Sequence, residues 1–154
     1  MNDKSLEQYL RKNNIWYKII EKEETVHTAD AAAKTGLSLE RVTKSIVCLV
    51  DDYAIIAIIP GNCRVKLKEI ARLLNVKKVK ICPFEQAHKY SGYDPGATPP
   101  LFYKKIKRVF VDERLMGYDT IYGGGGSRKK LLEIKPEDIV RINDATISDI
   151  SNEI

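Results

Sequence analysis

Lys44 is the first residue whose setting asks for a chemical explanation. It opens the run Lys44 to Val50, in which Ile46, Cys48 and Val50 alternate with other residues. In a strand those three share one face with the lysine. The ammonium then sits either at the solvent end of the strand or inside a pocket. A buried ammonium has to meet an anion or carbonyl oxygens, because an unpaired charge is costly to bury. A phosphate or a carboxylate-like ligand would satisfy it.

The second candidate is the run Gly92-Tyr-Asp-Pro-Gly-Ala-Thr-Pro-Pro100. Pro95, Pro99 and Pro100 fix the chain and bring no N–H. Gly96 can take backbone angles that other residues resist. The amides that remain, of Gly96, Ala97 and Thr98, can point at one anion or carbonyl oxygen. A rigid surface turn is the plainer reading. The third candidate is Gly123-Gly-Gly-Gly-Ser-Arg128. Its lysine and hydroxyl are not placed as in a Walker A loop, and the next segment looks like a strand rather than the helix of a dinucleotide fingerprint. It is either a flexible hairpin or a place where main chain comes close to a ligand.

Other chemistries find little support. His27 and His88 lie far apart without acidic partners at ligand spacing, so no metal site is expected. His27, next to Thr28, lines a pocket or lies on the surface. No nucleophile elbow and no Ser/His/Asp pattern occurs. Cys48, Cys63 and Cys82 are an odd set without close pairs, which argues against a disulfide scaffold and for buried or incidental thiols in a reducing cytosol; no sequence feature selects one as a nucleophile. Basic groups at Lys104, Lys105, Lys107 and Arg108, and at Arg128, Lys129 and Lys130, flank the two glycine-bearing stretches. They are either phosphate contacts or solvated faces.

The elements that must position these residues are read from pattern. A first helix is expected from a Ser5 cap with Gln8 in the capping-box position, with Leu6, Tyr9 and Leu10 on one face. Ile15 to Ile20 reads as a strand. Thr28 is the expected N-cap of an alanine-rich helix stopped by Gly36, and Ser38 is a candidate start for a second, short helix. Lys44 to Val50 and Tyr53 to Ile59 are the clearest strands, joined through Asp51-Asp52 and apolar on both faces, hence central. Val65 to Leu74 is a helix, Val76 to Ile81 a strand, and Pro83 to about His88 a short helix. Strands come next at Ile106 to Asp112, Asp119 to Tyr122 and Lys130 to Ile134. A helix runs from Pro136 to Ile142, and the end is a short helix around Ile147 and Ile150, or frayed. Strands outnumber helices and come in hairpin-like pairs, so the class is α+β.

A length of 154 residues fits one domain over 1–154, and 44% hydrophobic residues suffice for one core. A net charge of +5 favours an anionic partner, a nucleic acid ahead of a membrane surface. No stretch is apolar enough to span a bilayer, and Met1 to Leu10 lacks the core of a signal peptide. A cytoplasmic location is expected.

In order along the chain, several segments resemble the YbaK/ProX type of aminoacyl-tRNA editing domain. They are Thr28-Ala-x-x-Ala-Ala, Val42-Thr-Lys-Ser-Ile-Val47, Gly92 to Pro100, Phe110-Val-Asp112, the glycine run before Leu131 to Ile134, and Pro136-Glu-Asp-Ile139. Relatives include the editing domain inserted in some bacterial prolyl-tRNA synthetases. The resemblance implies a mixed, largely antiparallel, partly barrel-like β-sheet surrounded by helices. It implies catalytic roles for Lys44, Gly96, Ala97 and Thr98. It places substrate contacts at His27, Thr28, Thr43, Pro99, Gly124, Gly125, Gly126 and Ser127. RNA contacts would come from Lys104, Lys105, Arg128, Lys129 and Lys130. No cofactor and no metal is implied. The partners would be a tRNA acceptor end and an aminoacyl-tRNA synthetase, not a membrane. Some relatives carry an acid soon after the second glycine segment; here the chain reads Arg128-Lys-Lys-Leu-Leu, and the favoured amino acid stays open.

The implied activity is trans-editing: hydrolysis of the ester of a mischarged tRNA that carries Ala, Ser or Cys, on tRNA(Pro) for instance. With no strong base in the sequence, catalysis is expected from positioning and oxyanion support. Amides of residues 96–98, or of 124–126, would form the oxyanion site, and Lys44 would anchor phosphate or ribose or polarise the carbonyl. Two other classes remain: a non-catalytic module that binds aminoacyl-tRNA or a synthetase, and a phosphate- or nucleotide-binding domain.

Overall fold

The computed structural model describes all residues, 1–154. The chain begins with α1 (Asp3–Lys12), β1 (Tyr17–Glu21), α2 (Thr28–Thr35) and a 3-10 turn at Leu39–Arg41. Next come β2 (Thr43–Val50), β3 (Tyr53–Pro60), β4 (Cys63–Val65), α3 (Leu67–Leu74) and β5 (Lys80–Ile81). A 3-10 turn at Phe84–Gln86 and α4 (His88–Ser91) lead into the proline-rich loop. The second half holds β6 (Arg108–Asp112), a 3-10 turn at Glu113–Gly117, β7 (Ile121–Gly124), β8 (Lys130–Ile134), α5 (Pro136–Asn143), β9 (Thr146–Ser148) and β10 (Ser151–Glu153).

The central sheet has the order β5-β2-β3-β6-β9. β2 and β3 form an antiparallel hairpin in full register, from Thr43 opposite Pro60 to Val50 opposite Tyr53. Asp51 supplies the turn with a φ of 52°, which Asp tolerates better than most residues. β3 is buried from Ala54 to Pro60 because β2 and β6 flank it and both faces are covered. Ile56 and Ile58 face a core shared with Leu6 and Leu10 of α1 and Leu132 and Ile134 of β8. Ile55, Ala57 and Ile59 face the other way, with Cys48, Val50 and Ile70 of α3. A smaller sheet, β1-β8-β7, is antiparallel. A bridge between Val42 and Tyr122 joins it to the start of β2. The sheets are mixed and largely antiparallel, and they curve together without closing into a barrel.

Several local expectations are corrected. Helix α1 starts earlier than Ser5: Asn2 is its N-cap and Ser5 completes the box at the third helical position. In α2 the N-cap is His27, and no side chain caps it. The predicted Pro83–His88 helix splits into a 3-10 turn and α4. Only Lys80 and Ile81 of the 76–81 run pair as a strand. β6 runs parallel to both β3 and β9, so not every strand pairs as a hairpin.

The C-terminal end is neither helical nor frayed. It forms β9 on β6 and β10 on β4. The reason is tertiary: the fully buried Asp112 accepts hydrogen bonds from Ile150 N (3.0 Å) and Ser151 Oγ (2.8 Å), and its outer face meets the Arg114 guanidinium. A buried carboxylate needs such partners, and they lie at the far end of the chain.

Candidate active site

Three successive residues at the start of β2 tie three segments together. Successive strand residues point to opposite faces. Thr43 and Ser45 therefore reach one way and Lys44 the other. Thr43 Oγ1 donates to Tyr122 O at 2.9 Å, on β7. Ser45 Oγ donates to Pro99 O at 3.3 Å, in the proline-rich loop. Lys44 Nζ donates to Cys63 O at 2.8 Å, in β4. Lys44 is half-buried at the end of the face that carries Ile46, Cys48 and Val50. Of the two placements open to it, it takes the pocket. A carbonyl satisfies one of its three donors. Burial lowers its pKa from the ordinary lysine value.

The loop is fixed by its carbonyls. Pro95 O accepts from Arg128 Nε (2.8 Å), and Ala97 O accepts from Gly126 N (2.9 Å). Pro99 O accepts from Tyr103 Oη (2.7 Å) as well as from Ser45, and Pro100 O from Asn143 Nδ2 (2.9 Å). Burial pushes the Tyr103 hydroxyl well above the usual tyrosine range, so it stays a donor. The donors on this loop are few. Its prolines have none, and Ala97 N is committed to Asp94 O at 2.9 Å. The amides of Gly96 and Thr98 are left without a protein partner. Gly96 holds a φ of +88°, and a Cβ there would lie 2.7 Å from the Cα of Val26. Only glycine fits that bend.

Lys44, Gly96, Thr98 and Gly124 line one cleft of about 750 Å³. His27, Thr28 and Thr43 line it as well. No Asp or Glu side chain is among the lining residues. Cys82 is, but burial raises its thiol pKa, and Cys48 beneath it is pushed up to about 12, so neither is an activated nucleophile.

The remaining expected site residues lie elsewhere. Ala97, Gly126, Ser127, Arg128, Lys129 and Lys104 line a second cleft, of about 920 Å³, on the other side of the loop. Pro99 is buried, with its carbonyl held by Ser45 and Tyr103. Gly125 is buried too, and its amide donates to Lys130 O. The glycine run therefore offers no free row of amides. Its glycines allow chain to pack on chain: a Cβ on Gly124 would penetrate the Thr98 carbonyl, and one on Gly123 would lie 2.7 Å from Pro100 Cδ. The basic cluster divides as well. Lys130 pairs with Asp3 at 2.8 Å, and Arg128 clamps the loop, while Lys104, Lys105 and Lys129 are exposed. Sequence reasoning missed Ser45 and Tyr103, although the alternation beside Lys44 contained the signal for Ser45.

Comparison with known proteins shows the family and the fold. The profile described as the aminoacyl-tRNA editing domain matches residues 22–142. The chain is 25% identical over 136 residues to the "Putative Cys-tRNA(Pro)/Cys-tRNA(Cys) deacylase EbsC" of Enterococcus faecalis, covering 88% of this chain and 83% of that protein. It is also 25% identical over 92 residues to a proline–tRNA ligase of Nitratidesulfovibrio vulgaris, which is 59% of this chain and 16% of the ligase. Among solved structures it is similar to hypothetical protein APE2540, with a TM-score of 0.88, 26% identity and coverage of 96% and 99%. The structure of "a putative trans-editing enzyme for prolyl tRNA synthetase" shares the fold with a TM-score of 0.84 at 21% identity, covering 97% of this chain and 96% of that one. With the profile spanning β2, the proline-rich loop and the glycine run, the chain belongs to the family of aminoacyl-tRNA editing domains.

Proposed function

We propose that the 154 residues act as one unit that hydrolyses the ester between a small amino acid and the 3′-terminal ribose of a mischarged tRNA, in the cytoplasm and without a metal. The observation that carries this reading is that Gly96 and Thr98, whose amides have no protein partner, line the same cleft as Lys44. Donors held rigidly before the reaction stabilise an oxyanion without reorganising. Here the prolines and four anchored carbonyls supply the rigidity.

In the reaction, a water oxygen bonds to the ester carbonyl carbon. The negative charge that develops on the carbonyl oxygen is met by the Gly96 and Thr98 amides. The bond from carbon to the ribose oxygen then breaks, and that oxygen leaves as a hydroxyl after taking a proton. With no carboxylate side chain in the cleft, the proton of the attacking water passes to the vicinal ribose hydroxyl, which hands its own proton to the leaving ribose oxygen. Lys44 keeps one donor on Cys63 O and directs the others at the ribose or its phosphate. Thr28, Ala29 and Ala31 of α2 offer only small side chains to the cleft, which suits Ala, Ser or Cys. A synthetase pocket discriminates weakly against residues smaller than its own substrate, so a second, size-selective site has a purpose. The exposed Lys104, Lys105 and Lys129 are suited to tRNA phosphates.

The test is deacylation of a panel of mischarged tRNAs, with Ala-, Ser- and Cys-tRNA(Pro) first, alone and with prolyl-tRNA synthetase added. Turnover of at least one, above spontaneous hydrolysis, is expected. Binding of these tRNAs without turnover would replace the hydrolase by a non-catalytic binding module.

A further inference from the structure

The Lys44 cleft has a wall that the ester chemistry does not use. Six large hydrophobic residues are exposed in the whole chain, and three of them, Ile81 (53%), Phe84 (57%) and Ile154 (74%), line this one cleft. Single exposed apolar side chains are ordinary, but their concentration in one concavity marks a binding surface. Cys82 N donates to Val47 O, which fixes this wall beside the middle of β2. Lys44 lies three residues earlier on the same strand, about 10 Å away at strand rise. The cleft thus runs from a polar end at Lys44, Gly96 and Thr98, where Ile154 N also bonds to Asn62 O, to a partly aromatic end at Ile81 and Phe84. Its volume of about 750 Å³ is large for the ester of a small amino acid alone and falls within the range of sites for larger ligands.

Resting on the editing reading, we propose that Phe84, backed by Ile81, is the platform on which the 3′-terminal base of the tRNA stacks, and that this contact positions the ester at the Gly96 and Thr98 amides. The group joined to the ester through its ribose is a base, which has a π-face and no charge. The aromatic face of Phe84 in the same cleft as Gly96 and Thr98 matches it, and no Lys or Arg other than Lys44 is among the lining residues. Stacking on an aromatic side chain tolerates any base and adds affinity without hydrogen-bond readout. Phe84 is a binding and positioning residue on this account, since it does not touch the reacting atoms.

The experiment uses two amide analogues that cannot be hydrolysed: 3′-alanylamino-3′-deoxyadenosine, and the same alanylamide on a ribose methyl glycoside that lacks the base. Binding to the full chain is measured by calorimetry for wild type, Phe84→Ala and Phe84→Trp. Wild type is expected to prefer the adenosine analogue. Phe84→Ala should weaken that analogue by about 5- to 150-fold while leaving the base-free one unchanged, and Phe84→Trp should restore the preference. Equal affinity of wild type for the two analogues overturns the proposal. So does undiminished adenosine binding by Phe84→Ala, which would leave the wall to another occupant such as a protein partner. Absence of binding to wild type overturns it as well. Whether the editing reading then falls is decided separately, by the deacylation panel.

Discussion

The loop from Pro95 to Pro100 and the run from Gly123 to Gly126 are both short, both rich in residues that limit or free the backbone, and pressed against each other. They use main chain in opposite ways. The loop has its carbonyls tied down and keeps two amides free. The glycine run has its amides at Gly125 and Gly126 committed, to Lys130 O and Ala97 O, and uses its missing side chains to let the loop lie flat on it. Glycine content alone thus does not identify an anion cradle. What distinguishes one is which main-chain groups remain after the fold has taken its own hydrogen bonds.

The strongest break of this contrast removes the charge that shares a cleft with the loop. Lys44→Ala should lower kcat/KM by about 10- to 150-fold, the roughly 1.5–3 kcal/mol of a hydrogen bond to a charged group. Circular dichroism should show the fold intact. Undiminished turnover would take Lys44 out of the chemistry. The same residue predicts a pH effect. Its charged form is disfavoured in the folded state, so its folded pKa lies below the unfolded one. Activity that needs the ammonium should fall, as pH rises, before an ordinary lysine would titrate. The sign for stability is the reverse: between the two pKa values the unfolded chain binds more protons, so this group's contribution to stability rises with pH.

Gly124→Ala should act through packing. The new methyl meets the Thr98 backbone, which cannot swing away as a side chain would. The expected cost is about 3 kcal/mol of stability, at the upper end for overpacking, read by denaturant unfolding. Gly96→Ala tests the other segment. It forces a Cβ into a left-handed bend for about 1–2 kcal/mol and crowds Val26. Its loss of turnover should exceed its loss of stability, because the Gly96 amide is moved. If Gly96→Ala proves purely structural and Gly124→Ala purely chemical, the roles given to the two segments are reversed. The smallest effect is expected of Tyr103→Phe. Pro99 O keeps its bond from Ser45, so about 1 kcal/mol should be lost in thermal unfolding, with a modest fall in kcat.

Much of the frame was legible from local pattern. The β2–β3 hairpin was readable because its unbroken apolar runs suit only a doubly covered strand. Helix α5 was readable because Pro136 and the acids after it mark a helix start. The cap of α1 was misplaced by one turn because Asn2 and Ser5 offer the same motif as Ser5 and Gln8, and local sequence does not rank them. The C-terminal strands were illegible. Three-residue strands carry no period of their own, and these exist because β6, β4 and buried Asp112 offer pairing and hydrogen bonds from distant parts of the chain.

The same division holds for the site. The sequence by itself determined which groups the chain carries there: a lysine on an apolar strand face, a loop in which proline removes most donors, and glycines without side chains. Only the tertiary structure decided which donors stay free, that Ala97 and Gly126 bond across the loop while Gly96 and Thr98 do not, and that Phe84 shares a cleft with Lys44. Residue type fixes what groups a chain carries, but hydrogen bonding is competitive. Which groups are left for a substrate depends on partners from distant parts of the chain, and those are chosen only when the chain has folded.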